Sequence, residues 1–327
     1  MAINKRKLRV TELDFDNIKD NLKTFLKAQQ EFKDYDFEGS GMSVLLDTLA
    51  YNTHYLGFNA NMLANEMFLD SAALRSSVVS HAKTLGYEVS SPRAPIATVN
   101  ISLSTTASTK TMPAGTAFTT TVDGTSYQFV TVSDITSNST GSSIPFDSVN
   151  IYEGSYVTTK YTVDTSDVDQ RFLLSDARSD TTTLKVKVQN SASDSTTTTY
   201  TKATDITQLS ASSTVYFIQE TDSGLFEIYF GDGKVSTALS DGNIVILQYV
   251  VTNKTASNGA TVFGSPSSID GVTGVTTTTV TNATGGSESE SIQSIKLNAP
   301  LDYAAQGRCV TIDDYKKFTK KLFANTQ

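Results

Sequence analysis

An α+β architecture follows from three features of this 327-residue chain. Helical periodicity is confined to the amino-terminal part, apolar and polar residues alternate through the middle, and helix signals return near the carboxyl end. These features divide the chain into a helical segment over residues 1–95, a central antiparallel β-rich, sandwich-like domain over 96–284, and a stretch over 285–327. The last combines a connector with the start of a further α-containing domain.

The helical segment opens on Phe15, Ile18, Leu22, Phe25, Leu26 and Gln29, which fall on one helix face. Thr11 and Asp14 before it have the spacing of a capping box. The run from Tyr35 to Tyr87 then predicts closely spaced helices. Val44, Leu45, Leu49, Leu56, Met62 and Leu63 recur near helical spacing, yet Asn52, Asn59, Asn61 and Asn65 interrupt the apolar face. An amide buried without a partner costs about 1 to 3 kcal/mol, so these residues must face water or meet acceptors on a neighbouring helix. Tyr51, Tyr55, Phe58, Met62, Met67 and Phe68 form an aromatic and thioether stripe. It is either the core of a helical hairpin or a seam shared with other chains. Small units bury only about 60% of the surface their unfolded chain exposes, and the apolar face here exceeds what residues 1–95 bury by themselves.

Gly86 supplies a helix stop. The run Ser91-Pro92-Arg93-Ala94-Pro95 breaks regular structure, because proline disfavours helix in the preceding residue and donates no ladder bond. From Ile96 onward the period is two, as in Val99 to Leu103, Leu184 to Val188 and Phe226 to Phe230. Turn signals separate the strands at Pro113-Ala114-Gly115, Asp123-Gly124, Asp232-Gly233, Asp241-Gly242 and Asn258-Gly259. Gly231-Asp232-Gly233 reads as the turn of an apolar hairpin that ends in Ile244 to Val251. The threonine runs at 181–183, 196–199 and 276–279 keep no fixed period, so a solenoid is not indicated.

Gly285-Gly286 and the acidic-serine run after it lack the apolar content of a core, and Pro300 disfavours helix at the residue before it. The expectation is a connector, followed by a helix capped by Thr311 and Asp314 that leads into Phe318 and Leu322. Arg308 lies close in sequence to Asp302, Asp313 and Asp314, which makes a charge-assisted pairing the expectation there.

Composition narrows the function classes. Charged residues are only 18% against 38% apolar, leaving a large share to Ser, Thr, Asn and Gly, as β structure with polar outer faces requires. The net charge of -8 comes without a basic block, so binding through nucleic-acid phosphates is not expected. A lone cysteine, Cys309, excludes an intrachain disulfide or a CxxC metal cage, and a small buried residue is the expectation for it. The amino terminus carries no apolar leader core, and Ile244 to Val251 is too short to span a bilayer. The sequence reads as that of a chain made and kept in a cytosol, with no membrane partner.

Candidate chemistry is sparse. His54 and His81 have no metal-ligand spacing around them. The Gly231-Asp232-Gly233 turn lacks the Gly-Lys-Ser/Thr of a phosphate cradle and the ligand period of a calcium loop. Glu288, Glu290, Asp302, Asp313 and Asp314 supply carboxylates, but nothing in the sequence brings two together as glycoside hydrolysis needs. No catalytic residue, metal, cofactor or small-molecule substrate is expected.

Three ordered segments carry a family resemblance. The first is Tyr35 to Tyr87. The second, FGDGKVSTALSDGNIVILQYVVTNKTASNG from Phe230 to Gly259, pairs a GDG turn with a DGN turn, an apolar strand and an Asn-Gly. The third, Gly285 to Tyr315, has a Glu-rich lead, Ile-Lys, Ala-Pro and an RxVTxxDY signature. Together they resemble the baseplate J-like proteins, the baseplate wedge subunits of contractile-tailed bacteriophages. Members of that family continue well past the Asp-Tyr pair, whereas this chain stops at Gln327.

The resemblance implies a non-enzymatic structural subunit of the virion tail baseplate, assembled in the host cytoplasm. Its copies would pair with each other and with other wedge proteins in a ring around the tail hub, and that ring rearranges as the sheath contracts. It also implies that the amino-terminal helices of paired copies bundle with a helix of another wedge protein. Phe15, Ile18, Leu22, Phe25, Leu45, Leu49, Asn52, Tyr55 and Met62 are the interface residues expected there, with Arg308 of the signature at the other end of the chain. The alternative is a β-rich adhesin or glycan-binding module with a helical anchor. It fits the Ser/Thr-rich strands but neither the Tyr35 to Tyr87 motif nor the absence of tryptophan.

Overall fold

The computed structural model describes residues 14–27, 41–204, 208–306, 308–312, 315 and 319. The chain divides into two units, one ending at Leu85 and one beginning at Gly86.

The first unit is helical. Helix α1 spans Phe15–Lys27, α2 spans Gly41–Glu66 and α3 spans Arg75–Thr84. Asp14 starts α1: its Oδ1 accepts from the Phe15 N–H at 3.0 Å and its carbonyl from the Ile18 N–H at 3.0 Å. Thr11, the other half of the expected capping box, lies outside the described residues, as do Gln29 and residues 35–40. Lys19 on α1 pairs with Asp47 on α2 at 2.5 Å. The Glu66 carboxylate accepts from the N–H groups of Ala73 and Leu74 just before α3, at 2.7 and 3.3 Å. His81 Nε2 meets the Glu66 carbonyl at 2.8 Å, which braces α3 against the end of α2. α3 stops where glycine predicts, with Gly86 at φ +75°.

The second unit holds two large sheets. Its strands are β1 Ile96–Ser104, β2 Thr109–Met112, β3 Ala117–Val122, β4 Thr125–Val130, β5 Ile135–Asn138, β6 Ser143–Glu153 and β7 Ser155–Thr162. They continue with β8 Phe172–Leu173, β9 Ser179–Gln189, β10 Thr197–Lys202, β11 Val215–Glu220, β12 Phe226–Phe230, β13 Ile244–Val251 and β14 Val275–Thr284. One sheet has the order β14-β1-β6-β4-β3, the other β7-β13-β9-β10-β11-β12-β8, and β2 pairs with β5. Among the described residues every pairing is antiparallel except the short parallel contact of β10 with β11.

Each large sheet has its own core. Alternate residues of β1 and β6 bury Val99, Ile101, Leu103, Ile144, Phe146 and Ile151 with Phe118, Phe129 and Phe263 in the first. Val186, Val188, Phe172, Ile228, Leu247 and Tyr249 fill the second. The threonine runs lie in or beside β9, β10 and β14: residues 196–199 are exposed, whereas Thr183 is buried and its Oγ1 donates to the Asp180 carbonyl at 2.8 Å.

Two of the expected turns behave differently from each other. Asp123-Gly124 joins β3 to β4 as a two-residue hairpin, with φ +49° and +79° as a type I′ turn requires. Gly231-Asp232-Gly233 is not a hairpin turn. β12 pairs with β11 and β8, whereas β13 pairs with β7 and β9, so residues 231–243 form a crossover between distant strands of one sheet.

Helix α4 spans Ile292–Ala305, inside the stretch expected as a connector, where Pro300 was expected to disfavour helix. It runs through Pro300, with Ser291 as N-cap accepting from the Ser294 N–H at 3.2 Å. Ile295 and Ala299 are fully buried and Pro300 is exposed, so packing of the inner face outweighs the lost backbone bond on the outer one. Gly285 and Gly286 are also held in place. Gly286 exchanges hydrogen bonds with the Asn258 side chain at 3.0 Å in each direction.

Candidate assembly interface

The region that stands out for function is α2. Its residues Ser43, Leu46 and Ala50 are buried, a stripe at i, i+3 and i+7 that marks the side packed within the chain. The rest of its apolar surface is open. Val44, Leu45, Tyr51, Tyr55, Leu56, Phe58 and Leu63 are each between 53 and 68% exposed. Met62, Met67 and Phe68 continue the exposed set, and Tyr51 and Tyr55 stack on each other with ring centroids 6.3 Å apart. Burying large aromatic and aliphatic side chains contributes about 1.5 to 3 kcal/mol each, and isolated soluble chains rarely leave so many open side by side. A helix apolar nearly all round belongs in the interior of something larger.

The amides divide between the two sides. Asn52 and Asn59 are exposed. Asn61 and Asn65, one turn apart, are half-buried, and their Oδ1 atoms are hidden from water without a hydrogen-bond partner among the described residues.

Of the residues expected at an interface, Phe25, Leu45, Leu49, Asn52, Tyr55 and Met62 are exposed. Phe15 and Leu22 are half-buried, and Ile18 is buried. Arg308 is exposed after α4, where its Nη2 donates to Gln306 Oε1 at 3.1 Å. Its expected partners Asp313 and Asp314 lie outside the described residues, as do Phe318 and Leu322. Cys309 is exposed rather than buried, because the irregular segment after α4 has no core around it.

Three of the acids singled out from the sequence, Glu288, Glu290 and Asp232, hold the fold locally. Glu288 pairs with Lys254 at 2.5 Å, and Glu290 accepts from Tyr87 Oη at 2.7 Å and Ser294 Oγ at 2.6 Å. Asp232 Oδ1 accepts from the Lys234 N–H at 3.0 Å, and that bond holds the carboxyl below its ordinary range. Two buried acids, Glu153 and Asp180, have no local signature in the sequence. Glu153 accepts from Thr252 Oγ1 at 2.7 Å, and Asp180 from the Ala94 N–H at 2.8 Å and Thr182 Oγ1 at 2.6 Å. Glu153 sits where the chain passes from one sheet to the other, and Asp180 on β9 holds the segment that leads into β1, a relation that only strand order reveals.

Comparison with known proteins agrees with this geometry. Residues 14–87, which contain all three helices of the first unit, match the family described as the helical domain of gp6-like baseplate wedge proteins. Residues 157–266 match the third domain of bacteriophage baseplate wedge protein gp6. The chain is 30% identical over 340 residues to baseplate wedge protein gp6 of Enterobacteria phage T4, with 95% of this chain and 50% of that protein covered. It thus spans about half the length of the curated relative it matches. A chain of the 6-fold symmetrised cryo-EM structure of the anti-feeding prophage baseplate aligns over 92% of this chain and 55% of its own, at 12% identity and a TM-score of 0.30. At that level the two folds are not equated. The sequence relationship makes this chain a relative of baseplate wedge proteins.

Proposed function

We propose that this relative of gp6-type wedge proteins is a structural subunit of a phage tail baseplate, built into the virion through its amino-terminal helices. The observation that carries the reading is the open apolar surface of α2 within the segment that matches the gp6-like helical domain. Copies of the chain pair with each other and with other wedge proteins across Phe25, Leu45, Leu49, Tyr55 and Met62. The paired copies close into a ring around the tail hub, Arg308 helps to set the joint beyond α4, and the ring changes its packing as the sheath contracts. Two packings within a few kcal/mol of each other are enough for such a switch. The role is mechanical rather than catalytic, which agrees with carboxylates that are engaged in caps, turns and clamps.

The test is substitution on the open face. Leu49→Asp and Phe25→Asp replace exposed side chains, so the free chain keeps its helicity and melting temperature. Assembly with the other wedge proteins of the same phage is lost in both, because a charge placed in a shared seam is desolvated at a cost of several kcal/mol. Assembly of both variants at the parental yield overturns the reading.

A further inference from the structure

We infer that Glu290 welds the segment leading from Tyr87 to Arg93 onto the start of α4, so that these two parts of the chain open and move as one mechanical element. The weld has a backbone part and a side-chain part. Arg93 and Ser287 exchange both backbone hydrogen bonds, at 3.0 and 3.1 Å, and the Glu290 N–H donates to the Ser90 carbonyl at 3.1 Å. Residues 87–93 and 287–290 therefore run side by side in opposite directions.

The Glu290 carboxylate then reaches both ways. Its Oε2 accepts from the Ser90 N–H at 3.1 Å, and its Oε1 accepts from Tyr87 Oη at 2.7 Å. The same Oε1 accepts from Ser294 Oγ at 2.6 Å and Asn298 Nδ2 at 3.3 Å, on the first two turns of α4, and Asn298 Nδ2 also donates to Ser294 Oγ at 2.9 Å. One carboxylate is thus shared by an extended segment and a helix about 200 residues away in sequence. Hydrogen bonds to a charged acceptor are roughly twice as strong as neutral ones, so losing this carboxylate loosens both sides together.

Two further features keep the weld in register. Burial, with the Glu290 carboxylate beside it, pushes the Tyr87 phenol far above its ordinary value, so its hydroxyl remains a donor. At Gly286 a Cβ would run into the Lys254 carbonyl and the Pro95 ring, which fixes the ribbon against the loop that follows β13. Since Tyr87 lies directly after the helical unit in the chain, displacement of α4 reaches that exit through Glu290.

Native-state amide exchange of the full chain against denaturant tests it. The amides of Ser90, Arg93, Ser287, Glu290 and Ile295, all hydrogen-bonded, are expected to share one opening with one denaturant slope. Glu290→Gln places an amide NH2 against donors. It is expected to raise exchange at Ser90 and Ile295 about tenfold and to separate their slopes, with Ile101 and Leu247 unchanged. Tyr87→Phe, which removes only the hydroxyl, gives a smaller rise at the same sites. Different slopes for Ser90 and Ile295 in the parent chain overturn the inference. So does an effect of Glu290→Gln confined to Ser90, or an equal rise at Ile101 and Leu247. If Glu290→Gln does not fold, the parent slopes and Tyr87→Phe decide by the same criteria.

Discussion

The carboxylate of Glu153 grips Asn253 twice, accepting from its backbone N–H at 2.8 Å and from its Nδ2 at 2.7 Å. Glu153 ends β6, where the chain leaves the five-stranded sheet, and Asn253 follows β13, where it returns from the seven-stranded one. The two crossings are thereby tied through the fully buried Glu153 to Asn253 at the surface. Gly154 lets them approach: at φ +122°, a Cβ would run into the Val251 carbonyl. Lys185 Nζ donates from β9 to the Val132 carbonyl at 2.6 Å, and Val130 and Val250 share a small apolar cluster. The two sheets are thus joined within one compact unit.

Removing the Glu153 carboxylate leaves the buried Thr252 hydroxyl and the two Asn253 donors without their acceptor. Glu153→Ala is expected to lower stability by about 3 kcal/mol and Glu153→Gln by about half as much, because glutamine retains one acceptor. Thermal unfolding of the full chain checks the order. A Glu153→Ala protein that melts at the parental temperature removes the clamp from the account.

Asp180 lends stability a pH dependence. Burial raises its pKa from the ordinary 3.8, against the pull of the hydrogen bonds from Ala94 and Thr182. Between 3.8 and the raised value the native state holds a proton that the unfolded chain has released. The contribution of this group to stability therefore falls as pH rises through that window. The parent and Asp180→Asn proteins, compared by denaturant unfolding from acid to neutral pH, should differ by this falling term. A difference that is flat or rises with pH contradicts it.

At Gly233 the backbone stands at φ +84°, and an added Cβ would meet the Ala238 Cβ at 3.6 Å, an ordinary contact. The cost of Gly233→Val is therefore conformational, about 1 to 2 kcal/mol for a β-branched residue, and shows as a lower melting temperature. Asp232→Asn keeps the oxygen that accepts from Lys234, so its melting temperature stays near the parental one, and calcium adds no stability to either form. A calcium-dependent rise in melting temperature that Asp232→Asn abolishes would establish an ion site instead.

Pro300 lies on the exposed side of α4 and denies the helix one backbone donor. Pro300→Ala is expected to stabilise α4 by up to about 3 kcal/mol, the helix-interior difference between the two residues. Slower amide exchange at Ser294 and Ile295 is the measurement. Faster exchange there would mean that the proline shapes a bend the packing needs.

The kinds of element and many of their bounds were legible in the sequence, because they rest on local physics. Period two marked Phe226 to Phe230 and an apolar run marked Ile244 to Val251, which are β12 and β13 residue for residue, and the need for positive φ marked Gly86 and Gly124. The apolar surplus of the amino-terminal helices was legible too, since it is a count of side chains against the volume available to hide them. Which strands meet was not. The separation of β12 from β13, the division into two sheets and the clamps at Glu153, Asp180 and Glu290 join residues far apart in sequence, and no local preference encodes such pairings. Pro300 shows the same limit from the other side. Its local preference was read correctly, and the burial of Ile295 and Ala299, contacts that exist only in the folded chain, overruled it.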